Sequence, residues 1–150
     1  MKKHYKSEET HADAVAKTLG HRKPTRVEGQ LNSLFRLLKL PYIFVGNGKL
    51  MIGRYCPDFK REGFSLLIEL HGHGDRPAKS RSEKIKRTKR ARRRKEFILS
   101  KGYMTLDIDS DELNELDILA KRLIEFDKKF TILKYKDKSN ADPSKKKVKV

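Results

Sequence analysis

Asp58, Glu69 and His71 are the residues of this chain whose types and spacing best suit chemistry on a substrate. Between the two acids lie a polar Lys60-Arg61-Glu62-Gly63 stretch, expected to be a turn, and the strand-like run from Phe64 to Leu70. In that run Phe64, Leu66, Ile68 and Leu70 share one face by the two-residue period, while Ser65, Leu67, Glu69 and His71 share the other. The wholly apolar face is expected to be the buried side. A tight hairpin with Asp58 on one arm and Glu69 and His71 on the other would bring two carboxylates and an imidazole together. Hard oxygen donors in that number suit Mg²⁺, which takes one or two carboxylates and completes its shell with water and phosphate oxygens. A metal so held lowers the pKa of bound water and offsets charge developing on a phosphodiester. Each residue also has an ordinary structural use: turn chemistry for Asp58 after Pro57, an ion pair with a basic helix for Glu69, and a structural imidazole for His71. Their joint placement favours the site, because a Glu and a His at the end of an apolar strand need a polar destination.

The charge distribution points to a polyanion as partner. The 150 residues carry 37 Lys plus Arg against 20 Asp plus Glu, a net +17. Residues 79 to 101 hold twelve of the cations against Glu83 and Glu96, and the segment is flanked by apolar runs, so it belongs to the fold. Like charges at this density repel along a helix face, and a phosphate backbone is the natural compensation. Lys2, Lys3 and Lys6 form a basic N-terminal arm over residues 1–6. Residues 134–150, with seven Lys, read as a disordered tail. The body between, residues 7–133, is of a size for one domain and is nearly neutral once the basic segment 79–101 is set aside. No apolar run is long enough to span a bilayer and no secretion signal opens the chain, so a cytoplasmic location is expected, or a nuclear one in a eukaryote, and no membrane partner. The lone Cys56 excludes an internal disulfide and a cysteine-rich structural zinc site.

The elements that must position these residues follow from patterning. Ser7 with Glu8 and Glu9 opens a short helix that Gly20 stops. Thr25-Arg26-Val27-Glu28 is a capping box, and Leu31, Leu34, Phe35 and Leu38 at helical spacing predict a helix over 26–39. Tyr42 to Val45 and Leu50 to Ile52 around Gly46-Asn47-Gly48 predict a hairpin. A basic helix, a strand from Tyr103 to Ile108 and a helix capped by Ser110 come next, with Phe130 to Leu133 as an edge strand. The order implies an α/β (α+β) domain built on a mixed β-sheet flanked by helices.

Pro57-Asp58 followed by Glu69-Leu70-His71 resembles the bipartite signature of the PD-(D/E)xK, restriction-endonuclease-like nuclease superfamily, with His in place of the usual Lys. The wider string is similar to the branch holding very-short-patch-repair endonucleases and EDxHD homing endonucleases. Its matching parts are Thr25 to Glu28, Pro57-Asp58-Phe59, Leu67 to Gly72, Arg90 and Arg94 on the basic helix, and Lys101 to Leu106, covering roughly residues 7 to 125. The resemblance implies a metal-binding Asp58, a catalytic His71, an assisting acid in Glu28, Glu69 as the second metal-binding acid, and Asp75 as a further acid of the homing-type pattern. Lys84, Lys86, Arg87, Lys89, Arg90, Arg92, Arg93 and Arg94 would grip the phosphates of double-stranded DNA.

Two departures bear on specificity. Mismatch-repair relatives carry Cys and His ligands for a structural zinc, and they wedge aromatic side chains into the duplex. This chain has one Cys, no Trp, and only Phe59 and Phe64 near the aspartate. The expectation is therefore a Mg²⁺-dependent DNA endonuclease, with Mn²⁺ as a substitute ion, of a phage- or intron-associated homing type rather than a mismatch nickase. The alternative is a DNA- or RNA-binding module that kept the scaffold and lost cleavage.

Overall fold

The computed structural model describes residues 8–20, 22–72 and 77–140, with side chains from 13 to 132 within those spans. Four helices and four strands follow in the order α1 (Glu8–Leu19), α2 (Arg26–Leu38), β1 (Tyr42–Phe44), β2 (Phe59–Arg61), β3 (Leu66–His71), α3 (Arg81–Ser100), β4 (Met104–Asp109) and α4 (Leu116–Asn140). A 3-10 turn at Ser110–Asn114 joins the last two. The expected mixed α/β architecture is present.

Local chemistry sets the helix ends. Thr25 Oγ1 accepts from Glu28 N at 3.3 Å, and Glu28 Oε2 accepts from Thr25 N at 2.7 Å, the reciprocal bonds of a capping box. Helix α2 ends on Lys39 in the left-handed region, φ 54°, with Pro41 two residues on. Ser80 caps α3 by accepting from Glu83 N, and Gly102, φ +86°, turns the chain from α3 into β4.

The sheet runs β1-β2-β3-β4, with β1, β2 and β3 antiparallel and β4 parallel to β3. Parallel neighbours need a crossover, which α3 supplies. Helices α2 and α4 cover one face of the sheet, where Leu31, Leu34, Phe35, Phe59, Leu66, Ile68, Ile108, Leu119 and Leu123 form the main core. Helix α3 covers the other face through a smaller cluster of Ile52, Leu67 and Ile98. Residues Leu66 to Glu69 are consequently buried on both faces, so the expected single buried side was too narrow.

Four features differ from expectation. The partner of β1 is β2, in the register Phe44↔Phe59, and Ile52 forms only an isolated bridge to Tyr55. Lys60 and Arg61 belong to a strand, which shifts the turn to Glu62–Gly63. Residues 130–133 are helical, because α4 continues to Asn140 and takes in the first seven residues of the predicted tail. Asp109, not Ser110, caps the 3-10 turn, accepting from Asp111 N. The N-terminal arm, residues 141–150 and Asp75 lie outside the described residues.

Candidate active site

Asp58 is the residue before β2. Carrying the Phe59↔Ile68 register one step further puts it opposite Glu69. Its Oδ2 accepts from Leu70 N at 2.8 Å, which satisfies a β3 amide just where the β2 ladder ends. On the other side of β3, the parallel register pairs Glu69 with Asp107. Three acids therefore stand abreast on β2, β3 and β4, spanning about 10 Å at ordinary strand spacing. By alternation this is the α3 face, since Phe59, Ile68 and Ile108 point into the opposite core.

Glu28, in the first turn of α2, acts on this row through its charge. It is 5% exposed, Glu69 is 6% exposed, and the charge of Glu28 bears on Asp58. Burial raises the Asp58 carboxyl above its ordinary range, and Glu28 adds to the rise against the Leu70 amide, Arg22 and Arg94. Burial pushes Glu69 up to about 7 despite the Arg94 guanidinium, and the Asp58 charge reinforces it. Desolvated carboxyls raised further by a neighbouring charge call for a cation.

Two arginines meet that demand. Arg94 Nη2 lies 2.8 Å from Glu69 Oε1 and 3.4 Å from the Cys56 carbonyl. Arg22 Nη2 lies 2.6 Å from Glu28 Oε1, and its Nη1 donates to Gly46 O at 3.2 Å. Glu69 thus has the ion pair with the basic helix that its sequence position allowed, while also sitting in the acid row.

His71 ends β3 on the same face as Glu69. Its Nε2 lies 2.9 Å from Asp107 Oδ1, and Lys95 Nζ donates to Asp107 Oδ2 at 3.0 Å. Burial works to raise Asp107, but the hydrogen bonds from His71 and Lys95 prevail and hold it below the usual carboxylate range. A cavity of about 460 Å³ opens between α3 and the sheet, lined by Glu69, His71, Arg94, Lys95, Thr105 and Asp107 among others. Thr105 Oγ1 is buried there without a hydrogen-bond partner. Asp58 and Glu28 are not among the described residues that line it, so Glu69 and Asp107 are the side chains common to the acid row and the cavity.

The eight cations expected to bind phosphate divide by helix face. Arg87 pairs with Glu83 and Arg92 with Glu96, each one turn along α3, and Arg94 is committed to Glu69. Among the described residues Lys84, Lys86, Lys89, Arg90 and Arg93 have no ion pair. At about 100° per residue, Lys86, Lys89, Arg90 and Arg93 share the flank opposite Ala91, Lys95 and Ile98, and so face away from the sheet. Arg94 is accordingly a partner of the acids and does not share the outward flank of the helix.

Sequence reasoning did not single out Asp107, Lys95 or Arg22. The alternation Leu106-Asp107-Ile108-Asp109 was a usable signal for Asp107, since acids at a two-residue period in a strand face the same way. Lys95 was hidden among like neighbours.

Among the described residues no group of three or more His, Cys, Asp or Glu side chains is gathered tightly enough to hold one metal ion. The donor chemistry still fits Mg²⁺, which needs only one or two carboxylates, and half-buried Asp58 with buried Glu69 opposite it in the register supplies two. No described helix is long and apolar enough to cross a membrane.

No family model matches the chain, and no curated protein matches it significantly. A solved structure described as "Homing Endonuclease I-Bth0305I Catalytic Domain" aligns with 68% of this chain and 93% of that chain, at 24% sequence identity and a TM-score of 0.47.

Proposed function

We propose that the chain is a divalent-metal-dependent DNA endonuclease. The observation that carries this reading is the row of Asp58, Glu69 and Asp107 across three strands, beside His71 and beneath a helix with an unpaired cationic flank. Asp58 and Glu69 would hold Mg²⁺ or Mn²⁺, and Glu28 would assist from α2. Once bound, the ion would supply a water of lowered pKa and offset charge on the scissile phosphate.

The chain's own groups divide the remaining work. His71, oriented through Nε2 by Asp107, is the group placed to take a proton from the attacking water or to give one to the phosphate. Lys95 holds the second Asp107 oxygen and keeps that carboxylate in place. Lys86, Lys89, Arg90 and Arg93 bind backbone phosphates, which gives affinity without base readout.

A homing-type enzyme fits better than a mismatch nickase. Phe59 is fully buried, and Phe64 packs on the core beneath the Arg61 guanidinium, 4.4 Å from its ring, so neither is free to wedge into a duplex. The engagement of Glu28 and Glu69 by arginines favours a second reading, a non-catalytic nucleic-acid-binding module. A plasmid-nicking assay with and without Mg²⁺, on wild type and Asp58→Ala, decides between the two. Metal-dependent cutting lost in the variant supports the nuclease, and no cutting with either Mg²⁺ or Mn²⁺ leaves the binding module.

A further inference from the structure

The two arginines that neutralise the acid row are arranged alike. Each holds one carboxylate, one carbonyl from the loop between β1 and β2, and lies over one aromatic ring. Arg22 takes Glu28, Gly46 O and the Phe44 ring at 6.0 Å. Arg94 takes Glu69, Cys56 O and the Tyr55 ring at 5.3 Å. Gly46 and Cys56 lie near the two ends of that loop, and Asp58 follows it directly. Both guanidinium charges act on Asp58, lowering it against its burial.

The loop is also held close to its neighbours. A side-chain carbon at Gly48, φ +83°, would come within 2.8 Å of the Ala16 carbonyl in α1, and one at Gly53, φ +58°, within 2.8 Å of the Phe97 ring in α3. These contacts keep the loop against the elements on either side of the arginines' own helices and linker. The side chains of Arg22 and Arg94 are 37% and 36% exposed, whereas their carboxylates are 6% and 7% exposed. The acids are thus buried, and the cations are partly exposed to solvent and are absent from the apolar core clusters.

We propose that Arg22 and Arg94 are built-in counter-cations that occupy the carboxylate oxygens of Glu28 and Glu69 until a divalent ion displaces them. This rests on the nuclease reading. An ion entering beside Asp58 competes with a guanidinium for Glu69, so metal affinity without DNA is held down by the very groups that keep the buried acids neutralised. The arginines are positioning residues in this role. Once released, each guanidinium is a planar donor beside the acids, a geometry suited to two phosphate oxygens.

The test is Mn²⁺ binding to the DNA-free protein by titration calorimetry, on wild type, Arg94→Gln, Arg22→Gln, Arg94→Lys and Asp58→Asn, with folding checked by circular dichroism. Removing one arginine should tighten Mn²⁺ about tenfold, the scale of a single charge-assisted hydrogen bond. Arg94→Lys, which retains the charge, should return most of the way to wild type, and Asp58→Asn should abolish binding. If Asp58→Asn abolishes binding while both Gln variants bind Mn²⁺ equally or more weakly than wild type, the exchange is wrong and the metal site stands. If neither wild type nor the Gln variants bind Mn²⁺, the nuclease reading itself fails. Arg22→Gln reports on the proposal independently of any damage to α3.

Discussion

His71 and Asp107 are joined across the parallel β3–β4 pair, with Nε2 2.9 Å from Oδ1, although the strand register places His71 opposite Asp109. The imidazole therefore leans back along β4 by one side-chain repeat, toward Glu69 and the cavity. Such a lean orients the ring and leaves its other nitrogen for a substrate or a water. His71→Ala should lower cleavage by about 10² to 10⁴, the usual range for a general acid or base, while DNA affinity changes little. Asp107→Asn should lower cleavage less, because it leaves the ring in place and weakens only its orientation. Nicking rates and gel-shift affinities measured on both variants check this. Equal loss of binding and cutting in His71→Ala would show a structural imidazole instead.

The pH dependence follows from Glu69. With its carboxyl pushed to about 7, the metal-free site holds a proton at pH 5 and is about nine-tenths ionised by pH 8. Metal binding and cutting should therefore rise through neutral pH. Stability of the metal-free protein should move the other way. The folded form holds this proton more tightly than the unfolded chain, so the contribution of Glu69 to stability is full below the ordinary carboxylate range and is lost as pH rises through about 7. Asp58, also raised, works in the same direction. Thermal melts of wild type and Glu69→Gln from pH 5 to 8 should show a shallower decline in the variant, and parallel curves would place the titration elsewhere.

How much of this was readable in the sequence varies by the range of the interaction. The capping box at Thr25 and Glu28 was legible because both of its hydrogen bonds close within three residues. The partner of β1 was not. Gly46-Asn47-Gly48 does mark a turn, but the chain continues past Gly53 before returning at Phe59, and strand pairing is decided by packing on Phe35 rather than by the turn. The short run Phe130 to Leu133 is ambiguous between strand and helix. The Phe126–Phe130 contact, with ring centroids 5.1 Å apart at helical i, i+4 spacing, favours helix. Asp58, Glu69 and His71 stood out as polar residues beside apolar strands. Asp107 reaches them only through the parallel register that α3 creates, and the Arg94 partnership needed the helix phase.

Asp127 provides a stability test separate from the site. It is buried on α4, accepts from Tyr42 Oη at 3.0 Å and from Arg61 Nε at 2.5 Å, and so ties α4 to β1 and β2. Burial and the adjacent Asp127 charge raise the Tyr42 hydroxyl, which stays a donor throughout the working range. Asp127→Ala leaves a nearly buried guanidinium and a phenol unpaired, a loss of about 3 kcal/mol in unfolding experiments. Cutting per folded molecule should be unchanged, because the network lies on the far side of the sheet from the acid row.

The outward flank of α3 makes the last prediction, and it separates charge from catalysis. Lys86, Lys89, Arg90 and Arg93 have no acidic partner among the described residues, whereas Arg94 is held by Glu69. Reversing Arg90 and Arg94 together would therefore damage the acid row as well as the binding face. A cleaner variant replaces Lys86, Lys89, Arg90 and Arg93 with Ala. If each meets a phosphate, the slope of log affinity against log salt for duplex DNA should shrink by roughly 3 to 4, the counterion release of four contacts. Affinity should fall uniformly across sequences, since phosphate contacts carry no base information. Cutting at saturating DNA and Mg²⁺ should persist, because Asp58, Glu69, His71 and Asp107 are untouched. An unchanged salt slope would mean that DNA approaches by another face, with sheet-side cations such as Lys84, Arg94 and Lys95 as contacts from this helix.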